Sequence, residues 1–198
     1  MTYSPTSLDG LVFFSEEYSY VVRFPHNVTL VVTAHIGCCK VSKILVNGGS
    51  SVNILYGHTL DRMDDTPRAG PKIISQTYSL LYEFYGNEAR PLGMVEFPVR
   101  ADSLNVIMEF NILDVPSPYN ASLGRPWIHM MRAVSFTYHQ LLKYPTPFGT
   151  ANIKGDQAMA RTVVAVAQKR SGWMQKASGV DPNEDFLVDN KQKRIADQ

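Results

Sequence analysis

Cysteine is nearly absent from this sequence of 198 residues, and its only two copies, Cys38 and Cys39, are adjacent. Neighbouring cysteines suit neither an ordinary long-loop disulfide nor a zinc site that needs four converging ligands. A disulfide scaffold and a zinc fold are therefore not expected, and a reducing, intracellular setting is. Charge of one sign is also missing: Lys plus Arg number 19 against 18 Asp plus Glu. A formal net charge of +1 supplies no field to draw the chain onto nucleic acid, so no nucleic-acid partner is expected. No apolar run approaches membrane-spanning length, and Met1 to Gly10 lack the basic end and apolar stretch of a secretory signal. These absences predict a cytoplasmic protein with no membrane partner. The triplets Asn27-Val28-Thr29 and Asn120-Ala121-Ser122 then carry no weight as glycosylation sites. A repeat of fixed period is lacking too, which argues against solenoids and propellers.

What the sequence does have is a globular composition, 44% hydrophobic and 19% charged, enough for one domain and a tail. From Thr29 to Pro147, short apolar runs of period two alternate with Gly, Pro, Asn and Asp, the pattern of an all-β domain. Leu30, Val32, Ala34 and Ile36 form one strand, and a turn at Gly37-Cys38 leads into a second, Lys40 to Val46. Val95, Phe97 and Val99 define a third, and Val106, Met108, Phe110 and Ile112 a fourth. Leu80 to Leu92, with Gly86-Asn87 at its centre, predicts a projecting hairpin. Short helices are expected from about Val52 to Leu60 and from Pro126, whose fixed φ suits a first helical position. Gln157 to Gln168 has helical texture, and Lys169 to Gln198, rich in charge and amide, reads as a disordered linker or tail.

Three blocks carry chemistry by their order. The first, Ile44-Leu45-Val46-Asn47-Gly48-Gly49-Ser50-Ser51, leads an apolar strand into a glycine turn and on through Val52-Asn53-Ile54-Leu55-Tyr56. The second is Tyr119 to His129, with Leu123-Gly124-Arg125-Pro126-Trp127 at its heart. The third is Lys143 to Gly149 with Lys154 to Gln157. Taken singly, Asn47-Gly48-Gly49 is a turn between two elements, Trp127 and Ile128 are core anchors, and the five scattered histidines are solvated or hydrogen-bonded rings rather than metal ligands. The short basic cluster at Lys191, Lys193 and Arg194 is balanced by Asp185, Asp189 and Asp197.

Together, in this order and spacing, the blocks resemble the retropepsin-like aspartic protease segment of plant gypsy-type retrotransposon gag-pol polyproteins, over roughly Leu11 to Arg161. The resemblance implies a closed, all-β retropepsin-like barrel with one or two short helices, followed by a C-terminal helix or tail. It implies a lead-in over 1–24, the domain over 25–150 and the tail over 151–198. In such proteins two chains each give one aspartate to a shared site, and the paired carboxylates hold a single proton because like charges roughly 3 Å apart cannot both ionise. One carboxylate then serves as general base and the other as general acid. No metal and no cofactor is implied.

Carried onto this chain, Asn47 stands at the aspartate position, Gly49 at the tight turn and Ser50 where a hydroxyl meets the catalytic group. Gly124 and Arg125 support the loop from below, and Phe84 and Gly86 belong to the flap that closes on substrate. The departures decide the expected activity. An amide holds no negative charge and does not accept and return a proton near neutral pH, so Asn47 cannot act as the base. Gly48 replaces a side chain that interlocks the two loops, and Glu83 sits in the flap where glycine is usual. The expectation is an inactive peptidase domain, a weak homodimer at most, with an extended peptide or polyprotein segment as the partner its cleft would take. Two alternatives stand beside it: a non-catalytic peptide-binding module on the same fold, and an active processing endopeptidase if Asn47 is an error or is deamidated.

Overall fold

A computed structural model describes residues 16–63, 73–75, 81–82 and 88–166. The chain divides into a compact unit, Met1–Val164, which holds the barrel, and a second unit, Ala165–Gln198. After a 3-10 turn at Glu16–Val21, the elements are β1 (Val31–Ile36), β2 (Cys39–Val46), β3 (Ile54–Tyr56), α1 (Gly57–Leu60), β4 (Ile73–Ser75), β5 (Leu81–Tyr82) and β6 (Glu88–Ala89). They continue with β7 (Gly93–Ala101), β8 (Leu104–Leu113), β9 (Ala121–Leu123), α2 (Arg125–Met130), β10 (Val134–Phe136), β11 (Leu141–Thr146) and β12 (Gly149–Lys154). A further helix, α3, covers 157–166.

The strands run β1-β2-β9-β3-β8-β7-β4 in one sheet, and β1 also pairs with β7. That extra pairing closes a barrel of six strands and leaves β4 as an appendage on β7. The nine-residue β7 makes this possible by lending one edge twice: Val99 and Arg100 pair with β1, while Met94 and Val95 pair with β4. A three-stranded sheet, β10-β11-β12, stands beside the barrel.

Alternation explains the core. Val32, Ala34, Ile36, Val95, Phe97, Val99, Met108, Phe110 and Ile112 are buried, while Glu96, Pro98, Arg100 and Glu109 between them are exposed, as a half-buried antiparallel ladder requires. The turn at Gly37 has φ 62°, where glycine meets no Cβ penalty. Trp127 is fully buried, one turn into the helix that Pro126 helps to start. Val31 breaks the alternation and is nonetheless buried, because Ala160 of α3 packs over it with Val28. Asp156 caps α3 by accepting the Met159 N–H at 2.9 Å. Gln157 and Arg161 tie the helix to the backbone of Arg23.

One sequence expectation is corrected. The stretch from Val52 to Leu60 is not one helix but strand β3 followed by the single turn α1. Ile54, Leu55 and Tyr56 are drawn into the barrel between β9, which they meet antiparallel, and β8, which they meet parallel. The ladder bonds and the complete burial of Leu55 outweigh a weak local helix preference. The Leu80 to Leu92 hairpin is represented by Leu81↔Ala89 and Tyr82↔Glu88; Gly86-Asn87, like the tail from Lys169, lies outside the described residues.

Candidate functional site

The first and second sequence blocks meet at one end of the barrel. Strand β9 lies between β2, to which it is parallel with Val46 beside Leu123, and β3, to which it is antiparallel. The chain therefore leaves β2 at Val46, crosses over the end of β9 and returns along β3. The crossing segment is Asn47 to Asn53, and it contains no acidic or basic side chain.

Backbone bonds fix both ends of Asn47. Its N–H donates to Leu123 O at 2.9 Å, and its carbonyl accepts the Ser50 N–H at 3.1 Å. Its side-chain Oδ1 accepts the Gly49 N–H at 3.0 Å, so the amide is folded back over its own turn. A Cβ on Gly49 would stand 3.2 Å from that same Oδ1, a tight contact, whereas one on Gly48 would meet nothing within 4 Å. The Ser50 hydroxyl donates to Val52 O at 2.7 Å and accepts from the Val52 N–H at 3.3 Å. In this geometry Ser50 shapes the loop rather than bonding the Asn47 side chain.

Gly124 lies directly beneath. A Cβ there would fall 2.3 Å from Val52 O and 2.8 Å from Ser50 O, both backbone atoms, so the crossing segment rests on a position with room only for hydrogen. Its neighbour Arg125 donates its N–H to Ser50 O at 2.9 Å, while the Arg125 side chain is exposed. The support from Arg125 comes through the backbone.

Asn53, which sequence reasoning passed over as part of a helix, is the knot of the site. It is 2% exposed; its Oδ1 accepts the Gly124 N–H at 2.9 Å and its Nδ2 donates to Glu109 O at 3.0 Å. The Asn53 carbonyl accepts the Asn111 N–H. One residue thus joins the crossing segment to both β8 and the start of α2. The available signal was an amide inside the apolar run Val52 to Leu55. Asn120, set aside as a chance triplet, has a similar structural task, with its Nδ2 donating to Ser42 O at 2.8 Å and its carbonyl accepting the Thr59 hydroxyl at 2.8 Å.

Asn47, Gly49, Ser50, Gly124 and Arg125 are thus brought together, while Phe84, Gly86 and Glu83 lie outside the described residues. Among the described residues no three His, Cys, Asp or Glu side chains gather as metal ligands, and no helix is long and apolar enough to cross a membrane. His26 and His58 are hydrogen-bonded, to Tyr138 O and Asn120 Oδ1.

No protein-family model matches the chain, and no curated protein matches it. Solved structures do. The fold is similar to that of the retroviral protease-like domain of Ddi1 from Leishmania major, at 14% identity and a TM-score of 0.46, over 66% of this chain and 96% of that one. It is also similar to EIAV protease complexed with the inhibitor HBY-793, at 12% identity and a TM-score of 0.44, over 58% of this chain and 99% of that one.

Proposed function

We propose that the chain is a retropepsin-type domain of a plant gypsy-type retrotransposon polyprotein that has lost its catalysis at Asn47. The supporting observation is that Asn47 opens a segment crossing over Gly124 at the end of a parallel strand, at one end of a closed barrel, with no ionisable side chain in that segment. The scaffold for presenting an acid is in place and the acid is not. An amide in that position can accept or donate a hydrogen bond but cannot take a proton from water.

In this reading Gly49 and Ser50 shape the turn, Gly124 and the Arg125 backbone hold it, and Phe84 and Gly86 belong to a flap over an extended peptide. The domain is 25–150, with 1–24 leading in and 151–198 following; the last strand, β12, runs across that boundary to Lys154. The test is a protease assay on the wild type beside Asn47→Asp. The wild type should leave a peptide library uncut; the variant should cleave partially and be inhibited by a statine-type transition-state analogue. Proton transfer from a positioned group is worth about 10² to 10⁴ in rate, well within measurement. Cleavage by the wild type, blocked by the same inhibitor, would refute the loss of catalysis.

A further inference from the structure

The outer wall of the barrel carries a row of basic side chains set by strand register. His35 on β1 stands opposite Lys40 on β2 and opposite Arg100 on β7. Facing residues have Cβ atoms about 4.5 to 5.5 Å apart, so Lys40 and Arg100 flank His35 with about 10 Å between them. Their long side chains can close that span around one small anion. Lys40 and Arg100 are exposed, and with His35, Thr33, Ala34 and Asp102 they line an open cavity of about 310 Å³. That volume sits at the lower end for ligand sites and suits a small group rather than an extended cofactor.

Lys40 and Arg100 bring two positive charges to either side of His35, while the chain as a whole is nearly neutral. The excess of cationic groups is therefore a local property of this patch. The one carboxylate in the lining, Asp102, sits in the β7–β8 turn and has one of its oxygens engaged by the Tyr144 hydroxyl of β11. Among the described residues neither Lys40 nor Arg100 has an ion-pair partner. From Lys40 to Val46 the strand advances roughly 20 Å, which separates this pocket from Asn47.

We propose that this pocket binds a small phosphate-type oxoanion. Arg100 offers a planar fork of N–H donors, Lys40 a compact charge, and His35 and Thr33 a ring N–H and a hydroxyl. The site is independent of Asn47 and of any peptidase activity.

The experiment is a titration of the full chain with inorganic phosphate, at ionic strength held constant with chloride, followed by amide NMR. Saturable shifts confined to the neighbourhood of residues 33–40 and 98–102 are expected, weakened at least tenfold by Arg100→Gln and, separately, by Lys40→Gln. Both positions are exposed, so both variants should fold. Phosphoserine, run in parallel, tells the two sources apart: binding tighter than inorganic phosphate assigns the pocket to an esterified phosphate, and equal or weaker binding assigns it to the free ion. Shifts that never saturate, that chloride reproduces, or that saturate identically in both variants would overturn the proposal.

Discussion

The buried amide of Asn53 receives the backbone N–H of Gly124 at 2.9 Å across 71 residues of sequence. This bond holds the segment after Asn47 against the strand end beneath it. The absence of a side chain on Gly124 lets the Ser50 and Val52 carbonyls close down on it.

Asn53→Ala should destabilise the fold by about 2 to 5 kcal/mol, because it strands a buried N–H at Gly124 and a carbonyl at Glu109. Urea denaturation reads the loss. A change below about 0.5 kcal/mol, the range of an indifferent surface substitution, would mean that Asn53 is not the knot described.

Gly124→Ala and Gly48→Ala form a matched pair. The first drives a methyl group into two backbone carbonyls and should cost about 3 kcal/mol or prevent folding. The second meets open space and should stay within about 0.5 kcal/mol. Equal melting temperatures for the two variants would contradict the close approach.

Asn47-Gly48 is also a chemical liability, since the Gly48 nitrogen can attack the Asn47 side-chain amide, expel ammonia and give a succinimide that opens to Asp or isoaspartate. In the folded turn the attack requires breaking the bond from the Gly49 N–H to Oδ1. At about 1 kcal/mol or slightly more for that bond, deamidation should run roughly tenfold slower than in an unstructured peptide of the same sequence. Peptide mapping of protein aged at mildly alkaline pH measures it, as a gain of about one mass unit on the Asn47 peptide. A rate equal to the free peptide's would show that the turn opens readily.

Burial, and then the hydrogen bond to Asp102, raise the Tyr144 phenol above its ordinary 10.0. An acid whose pKa is higher folded than unfolded contributes stability below the unfolded value and loses it as pH rises through the folded one. Stability should therefore decline above about pH 10, where the unfolded phenol ionises and binds fewer protons than the folded one. Tyr144→Phe should lose about 1.5 to 3 kcal/mol at neutral pH, the worth of a hydrogen bond to a charged group. Its alkaline decline should be shallower than the wild type's, and identical slopes would remove Tyr144 from the account.

If the chain is the crippled retropepsin proposed, its association should be weak, because Gly48 contributes no interlocking side chain. Sedimentation at tens of micromolar should give a monomer, and a nanomolar dimer, worth about −12 kcal/mol, would reject this.

The barrel strands were legible because period two survives wherever one face is buried: Val95, Phe97 and Val99 announce their own ladder, and Pro126 its helix. The failure at Val52 to Leu60 has a physical cause. Three residues are too few to display a period, and β3 exists only because β8 and β9 offer it edges from far along the chain. Asn53 was hidden for the same reason, since its partners at Gly124 and Glu109 are tertiary. Asn47, Gly49 and Gly124 were marked out by the resemblance alone. Their juxtaposition depends on the parallel pairing of β2 with β9, which no local pattern encodes.

That parallel pairing has a consequence for how the protein is made. Strand β2 leaves the ribosome long before β9, and Asn53 waits 71 residues for Gly124. At synthesis rates of about 5 to 20 residues per second the wait is roughly 4 to 14 seconds, far longer than hairpin formation. The β1–β2 hairpin can close early, but the β9-facing edge of β2 remains bare for that interval and is open to pairing with other chains. Mispairing at that bare edge during synthesis is the hazard this topology carries.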